Sequence, residues 1–243
     1  MPIRAVTFDF WQTLYADNGP IEQERVRVRV RLIAALLSER GIEFEHDSIL
    51  LGLADARVHM DRVWRMEHRT LAPEKQALAV ARRVGLTSPD GLLRDLGHAM
   101  QTAAIAVPAD HVPHAMDTLR AVAERYRVAL ICDTGFSPGW VLRGMMERDG
   151  ILDYFQHLTF SDELGSSKPS LANFQSTLNA LGVEPREAAH VGDLIETDII
   201  GAKNAGMKAV LYWGDGRDYT ATAPADVVIR DHRELLTALA EVS

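Results

Sequence analysis

The feature that most constrains the fold is the pattern after Pro108, where short apolar segments alternate with longer helix-like segments. Strands that alternate with helices in this way are typical of a parallel α/β sheet, and their apolar character indicates burial on both faces. The predicted strands lie at 128–132, 157–160, 188–191, 209–212 and 227–229. The predicted helices lie at 115–126, 139–147, 171–181, 198–205 and 233–242. The second half of the chain is therefore expected to form one wound domain.

One further strand is predicted at the N-terminus, where 3–10 reads IRAVTFDF and places Asp9 near the end of the strand. The signals between 16 and 107 are helical instead. The predicted helices there lie at 21–40, 46–69, 73–84 and 89–106. Because the first strand has no partner in this helical stretch, we expect a doubly wound parallel sheet made of 1–15 and 108–243, with 16–107 inserted as a helical domain.

The segment RVRVRVR at 25–31 has the alternation of a strand, but its flanks favour a helix, since a lone strand among helices would have no partner. Its four arginines have two open readings. They form either a solvated helix face, offset by Glu22 and Glu24, or a site for an anion. The solvated face is the preferred expectation.

Composition excludes several classes of protein. Of the 243 residues, 47% are apolar and 25% are charged, which rules out a disordered, collagen-like or disulfide-scaffold chain. A membrane-spanning run and a secretory leader are not apparent, and the single cysteine suits a reducing compartment, so a cytoplasmic location is expected. The net charge of −8 argues against nucleic acid or an anionic membrane as a partner. A homo-oligomer stays open.

Acidic residues follow several of the predicted strands, at the edge of a wound sheet where ligands bind. Asp9 follows the first strand, Asp133 follows the next, and Asp193 and Asp198 follow a later one. Packing three carboxylates together is costly unless a cation neutralises them, and hard carboxylate oxygens suit Mg²⁺. We therefore expect a magnesium site at Asp9, Asp193 and Asp198.

Four motifs, taken in order, resemble those of the haloacid dehalogenase-like hydrolase superfamily. They are FDFWQTL at 8–14, LICDTG at 130–135, SSKP at 166–169 and VGDLIETDIIGAKNAG at 191–206. The resemblance implies a Rossmann-like core, with 16–107 as a helical cap that closes to exclude bulk water. It also implies a hydrolase, most simply a Mg²⁺-dependent phosphatase that acts on a small, anionic, phosphorylated metabolite.

The resemblance also implies roles for single residues. Asp9 is the nucleophile that forms a covalent aspartyl intermediate, and Lys168 offsets its repulsion from an anionic substrate. Asp9, the main-chain carbonyl of Trp11 and Asp193 hold Mg²⁺, with Asp198 as a ligand or an indirect partner. Further positions on the substrate side are Thr13, Cys132, Asp133, Thr134 and the Trp11 side chain, the last as a pocket wall. Cys132, in a position where Ser or Thr is usual, is expected to be buried.

Trp11 is the main departure from this resemblance, because phosphatases of the family carry a second Asp there. An indole cannot protonate a leaving alkoxide or activate water. Substrates whose leaving group departs without protonation would tolerate the loss of this acid. Acyl phosphates, phosphoanhydrides and halides are substrates of this kind. Otherwise another group supplies the proton, and the candidates are Asp133, Glu163, Glu196, His59 and His68. The alternatives that remain open are a hydrolytic 2-haloacid dehalogenase and a binding module whose catalysis has lapsed.

Overall fold

The computed structural model describes residues 2–87, 91–214 and 224–243. Their contacts divide the chain into two compact units. The sheet unit comprises Met1–Asp17, Asp110–Asp133 and Met146–Ser243, and the helical unit comprises Asn18–Ala109 and Thr134–Met145. The chain thus passes from one unit to the other four times, and the segment after Asp133 belongs with the helices.

The sheet unit contains a six-stranded parallel sheet and a two-stranded ribbon. The strands in chain order are β1 (Ala5–Phe8), β2 (Tyr15–Ala16), β3 (Asp110–His111), β4 (Arg127–Cys132), β5 (His157–Phe160), β6 (Ala188–Gly192), β7 (Lys208–Tyr212) and β8 (Val227–Ile229). The order across the large sheet is β5-β4-β1-β6-β7-β8, and every pair is parallel. The predicted doubly wound sheet is confirmed. Strand order reverses at β1, which creates a crevice at the carboxyl ends of β1 and its neighbours.

The interior position of β1 follows from its sequence, since all four residues of AVTF are buried. One apolar core lies around Ala5, where α9 (Leu171–Leu181) contributes Phe174 and Leu178. The remaining helices of this unit are α6 (Ala115–Ala123), α8 (Ser161–Leu164), α10 (Ile200–Asn204) and α11 (Leu235–Glu241), while α7 (Gly139–Arg148) crosses the unit boundary. The core therefore fixes β1 and β6 firmly beside each other.

Within the residues that the structure describes, five further α-helices lie in the helical unit. They are α1 (Gly19–Glu39), α2 (His46–Glu67), α3 (Pro73–Arg83), α4 (Leu93–Gln101) and α5 (Ala103–Ala106). The segment 25–31 lies within α1, as predicted, and Asn18 caps this helix by accepting a hydrogen bond from the Ile21 amide at 3.1 Å. The helix predicted at 89–106 is instead α4 and α5, and positions 89 and 90 lie outside the described residues. The Thr102 hydroxyl donates to the Ala99 carbonyl where the helix breaks, in competition with the backbone ladder.

The expectation of a solvated arginine face is wrong for two of its four members. Arg25 and Arg29 are buried, with 1% and 2% of their surfaces exposed, whereas Arg27 and Arg31 are exposed. A spacing of four residues places the first two on one side of α1. There the Arg25 Nε donates to the Val107 carbonyl at 2.8 Å, and the Arg29 Nε donates to the Met100 carbonyl at 3.2 Å. The strand-like alternation of the segment at 25–31 gave no indication of this buried side of α1.

Two other sequence features have clear outcomes. Cys132 is buried at the end of β4, as expected, and burial raises the pKa of its thiol well above the usual value. Among the described helices, none combines the length and apolar character that crossing a membrane requires.

Candidate active site

Three buried aspartates meet at the carboxyl ends of β1 and β6. Asp9 follows β1 and Asp193 follows β6, and these strands are adjacent and parallel. Asp198 lies on the wide helical turn Ile195–Ile199, which leads into α10. One carboxylate oxygen from each residue lies within 4.8 Å of the other two. The sheet topology therefore produces the cluster that the sequence predicted.

Lys168 provides a positive charge inside this cluster. Its Nζ lies 2.5 Å from Asp9 Oδ1 and 2.7 Å from Asp198 Oδ1, and only 3% of its side chain is exposed. The Lys168 amide donates to Asp133 Oδ1 at 2.9 Å, so the carboxylate after β4 holds the backbone of the lysine. Asp133 therefore positions Lys168 in this structure.

Asp198 is held by groups on both of its oxygens. Oδ2 accepts a hydrogen bond from the Leu194 amide at 2.9 Å, and Oδ1 lies 3.3 Å from His190 Nε2. The carboxylate also packs against Gly192, where a Cβ atom would lie 2.4 Å from the Asp198 carboxyl carbon. The glycine before Asp193 is therefore required by this close approach.

Burial and neighbouring charges shift the pKa values of the cluster in different directions. Burial, reinforced by Asp198 and Asp193, raises the pKa of Asp9 well above its usual value although Lys168 opposes the change. Burial opposes ionisation of Asp198 too, but Lys168 and His190 outweigh it and hold its pKa below the usual range. Burial alone would lower the pKa of Lys168, and the charges of Asp198, Asp9 and Asp133 raise it instead. The lysine therefore stays protonated, whereas the ionised form of Asp9 is disfavoured unless a further cation is present.

This donor set fits a hard divalent cation. Three carboxylates converge on a small buried volume that contains one ammonium group, and oxygen ligands of this kind suit Mg²⁺. Asp9 and Asp193 are the candidate direct ligands, and Asp198, which accepts a hydrogen bond from the backbone amide of Leu194, is the candidate indirect partner. A cation here would relieve the repulsion that disfavours ionised Asp9.

The predicted phosphate-binding residues divide between the two units. The Thr13 hydroxyl points at Asp9, with 3.5 Å between Oγ1 and Oδ2. Cys132 is buried at the end of β4. Thr134 belongs to the helical unit, where the Thr70 hydroxyl donates to its carbonyl oxygen at 3.2 Å.

Trp11 lies on a tight loop two residues after Asp9. Gln12 adopts a left-handed conformation (φ 59°), and its amide donates to the Tyr15 carbonyl at 2.7 Å. The Trp11 ring meets the ring of Phe10 edge to face, with 4.8 Å between centroids. Four of the proton donors proposed from the sequence have exposed side chains, and their role stays a prediction: His59, His68, Glu163 and Glu196.

Sequence reasoning missed two buried histidines beside this cluster. His190 bridges Thr7 Oγ1, 2.8 Å from its Nδ1, and Asp198. His232 Nε2 lies 2.7 Å from the carbonyl oxygen of Thr13, and burial lowers the pKa of this histidine to about 4, so the neutral ring donates to that carbonyl. A histidine inside the apolar strand AAHVG was a readable signal for the first. His232, near the other end of the chain from Thr13, offered none.

Comparison with known proteins decides the family. The model of the haloacid dehalogenase-like hydrolases matches residues 3–206, which include all four motifs. The chain belongs to this hydrolase family. The resemblance inferred from the motifs is therefore confirmed.

Relatives and solved structures of this hydrolase include both phosphatases and dehalogenases. A glyceraldehyde 3-phosphate phosphatase from Pyrococcus furiosus is 38% identical over 132 residues, which span 53% of this chain and about half (54%) of the relative. A second of that name, from Methanothermobacter thermautotrophicus, is 25% identical over 94% of this chain and 96% of the relative. The fold is similar to that of a 2-haloacid dehalogenase from Pseudomonas syringae, with a TM-score of 0.72, 23% identity and coverage of 99% and 100%.

Proposed function

We propose that this hydrolase is a Mg²⁺-dependent phosphatase that acts on a small phosphorylated metabolite. The observation that carries the proposal is the convergence of three buried carboxylates, Asp9, Asp193 and Asp198, with Lys168 beside Asp9 and Asp198. Displacement of a halide transfers no phosphoryl group, so a cation held by buried carboxylates serves phosphoryl transfer better than dehalogenation. The names of the two relatives above support a phosphorylated substrate.

In this proposal Asp9 attacks the phosphorus atom, so that an aspartyl Oδ–P bond forms while the bond to the leaving oxygen breaks. Lys168 keeps its proton and offsets the charge that the anionic substrate brings to Asp9. The Thr13 hydroxyl lies where it can donate to the phosphoryl group in place of Asp9 Oδ2. Cys132, Asp133 and Thr134 remain the proposed positions around the phosphate.

Magnesium would be held by Asp9, Asp193 and the Trp11 carbonyl, with Asp198 as an indirect partner. When bound, it supplies positive charge that offsets both the carboxylates and the transferring phosphoryl group. The carboxylates favour this binding, because a cation relieves the mutual repulsion that helps to raise the pKa of Asp9.

Trp11 stands in place of a proton donor, and this limits the leaving groups that the proposed substrates can have. Its indole NH has no acidic proton to give, Lys168 holds its proton tightly, and burial lowers the pKa of His190 so that its ring is neutral. Leaving groups that depart as stable anions are therefore favoured. Acyl phosphates and phosphoanhydrides meet this requirement better than alkyl phosphates.

We also assign 1–15 and 108–243 as the hydrolase core and 16–107 as a cap, and we expect a cytoplasmic location. The contact-based helical unit begins at Asn18, ends at Ala109 and adds Thr134–Met145. Expression of 16–107 alone, judged by cooperative thermal unfolding, would test whether the cap is an independent domain.

The proposed function is tested by a substrate screen with Mg²⁺ or with EDTA. Acetyl phosphate, p-nitrophenyl phosphate, glyceraldehyde 3-phosphate and 2-chloropropionate cover the acyl, aryl, alkyl and halide leaving groups. We expect phosphate release that requires Mg²⁺ and is abolished in Asp9→Asn. Chloride release that persists in EDTA would identify a dehalogenase, and binding of these anions without turnover would identify a lapsed enzyme.

A further inference from the structure

Asp149, the residue directly after α7, collects four hydrogen bonds on one carboxylate. Oδ2 accepts from the Tyr15 hydroxyl at 2.9 Å, from His111 Nε2 at 3.0 Å and from Arg148 Nη2 at 2.7 Å. Oδ1 accepts from Arg148 Nε at 2.7 Å. All four residues lie in the sheet unit. Neither the motifs nor the proposed chemistry assigns Asp149 a role.

Two of the residues that donate hydrogen bonds to Asp149 lie on the two-stranded ribbon. Tyr15 is in β2 and His111 is in β3, and these two residues pair directly across the antiparallel ribbon. The first segment of the sheet unit ends at Asp17, shortly after β2, and its second segment begins at Asp110, the first residue of β3. One carboxylate therefore ties together the two strands through which the chain leaves and re-enters the sheet unit.

The protonation states suit this arrangement. Burial would raise the pKa of Asp149, but the hydrogen bonds from Arg148, His111 and Tyr15 lower it to about 2. Burial and the contact with Asp149 raise the pKa of Tyr15, so the phenol keeps its proton and donates it. A hydrogen bond from a neutral donor to a carboxylate is stronger than one between neutral groups.

An aromatic chain leads from Tyr15 to the loop after the nucleophile. The ring of Tyr15 stacks on Phe10 with 4.4 Å between centroids and 12° between planes, and both residues are fully buried. Phe10 in turn meets Trp11 edge to face. The backbone repeats the connection, since the amides of Leu14 and Tyr15 both donate to the Phe10 carbonyl.

We propose that Asp149 is a positioning residue, which acts through Tyr15 and Phe10 to fix Trp11 and the loop that follows Asp9. Contacts of this kind lock the rotamers beside a reacting group, and misplacement by about 1 Å can cost roughly 100-fold in rate. The hydrogen bonds of Asp149 described above join it to Tyr15, His111 and Arg148, and not to a residue of the candidate active site.

The test uses full-length protein labelled with 5-fluorotryptophan, whose four tryptophans give separate ¹⁹F resonances. Trp11→Phe assigns the Trp11 signal. Asp149→Asn removes the charge at constant shape, and Tyr15→Phe removes only the hydroxyl and keeps the ring. Asp153→Asn is the matched control, because this carboxylate is exposed and lies four residues further along the chain.

We expect the Trp11 resonance to shift by more than its line width in Asp149→Asn and Tyr15→Phe, with the other three resonances and the control unchanged. A Trp11 signal that stays in place in both variants would overturn the proposal. A shift of all four signals would also overturn it, since the role would then be general packing.

A kinetic measurement adds a second readout, which rests on the proposed function. For acetyl phosphate with Mg²⁺, kcat should fall by about ten- to a hundredfold in both variants while KM stays near the wild-type value. Unchanged kcat in both variants would contradict positioning. If wild-type protein did not turn over acetyl phosphate, the proposed function would fail, and the resonance test would still decide the role of Asp149.

Discussion

The two units bury charge in different ways. In the sheet unit, the buried carboxylates of Asp9, Asp193 and Asp198 lie together with the Lys168 ammonium beside Asp9 and Asp198, and burial raises the pKa of Asp9 well above its usual value. In the helical unit, Arg29 is as deeply buried, but its guanidinium donates to a backbone carbonyl and to Glu22, and it lies over the Phe136 ring.

The difference shows what marks a functional site in this protein. Arg29 has partners within its own unit that satisfy it, so its burial is explained by structure alone. In the carboxylate cluster, burial and the charges of Asp198 and Asp193 raise the pKa of Asp9 even though Lys168 lies beside it, and a bound cation would favour the ionised form. A buried acid whose ionised form is disfavoured, rather than burial of charge alone, therefore indicates chemistry here.

The largest effect is expected from Asp9, the proposed nucleophile. Asp9→Asn keeps the size of the side chain but removes the attacking oxygen, so turnover of acetyl phosphate should fall by about 10⁴-fold or more. Steady-state phosphate release measures this, with the thermal unfolding midpoint as a check that the variant folds. Turnover within about tenfold of wild type would show that Asp9 is not the nucleophile.

The next effect concerns the leaving group. Since general acid assistance contributes about 10² to 10⁴ in rate, its absence at Trp11 should favour acetyl phosphate over glycerol 3-phosphate by several powers of ten. A burst of acetate followed by slow turnover is expected in rapid-quench experiments, because the loop has no carboxylate to activate water. Trp11→Asp should speed alkyl phosphate turnover, whereas the control Trp11→Phe should not. Comparable wild-type rates on both substrates would mean that another residue supplies the proton.

Lys168 should matter for stability as well as for anion binding. Lys168→Met leaves Asp9 and Asp198 buried without their cation, which should cost about 3 to 5 kcal/mol near pH 8. Without Lys168 the folded-state pKa of Asp9 rises further above the unfolded value, and Asp198 loses the charge that does most to lower its pKa. The cost is therefore present at high pH and is reduced as pH falls and the two carboxyls take up protons. Thermal melts at pH 5.5 and pH 8 in EDTA measure this. A loss of stability relative to wild type that is the same at both pH values, or smaller at pH 8, would contradict the pairing of Lys168 with Asp9 and Asp198.

The smallest effect belongs to the helical unit. Arg29→Met removes the hydrogen bonds to the Met100 carbonyl and Glu22, and it should lower the free energy of unfolding by about 1 to 3 kcal/mol. Affinity for Mg²⁺ and for inorganic phosphate should not change. If phosphate affinity fell sharply instead, the arginine would belong to an anion site, and the contrast between the units would disappear.

The regular parts of the fold were readable because their signals are local. The bounds predicted for β5, at 157–160, and for α9, at 171–181, match the structure, since apolar periodicity and flanking turns define both. The ribbon of β2 and β3 was missed, because two-residue strands that pair across almost a hundred positions leave no period to detect. The burial of Arg25 and Arg29 was hidden in the same way by the alternation of RVRVRVR.

The candidate site was predictable as far as each residue follows its own strand. Asp9 and Asp193 end β1 and β6, so topology alone brings them together. Asp149 could not be found, because its partners Tyr15 and His111 come from distant segments and form no motif. The contacts of Asp149 depend on the packing of distant segments, so the sequence does not reveal them. The closeness of Asp9 and Asp193 depends only on the order of the strands that they follow.

The claim that the carboxylate cluster requires a cation is tested most directly by calorimetric titration of Mg²⁺ into wild type and Asp193→Asn. Glu196→Gln is the matched control, because this exposed carboxylate lies three residues away along the chain. Wild type and control should bind Mg²⁺ with the same affinity, and Asp193→Asn should lose at least about tenfold. Equal affinity in all three proteins, or no binding to wild type, would contradict the metal site and the account built on it.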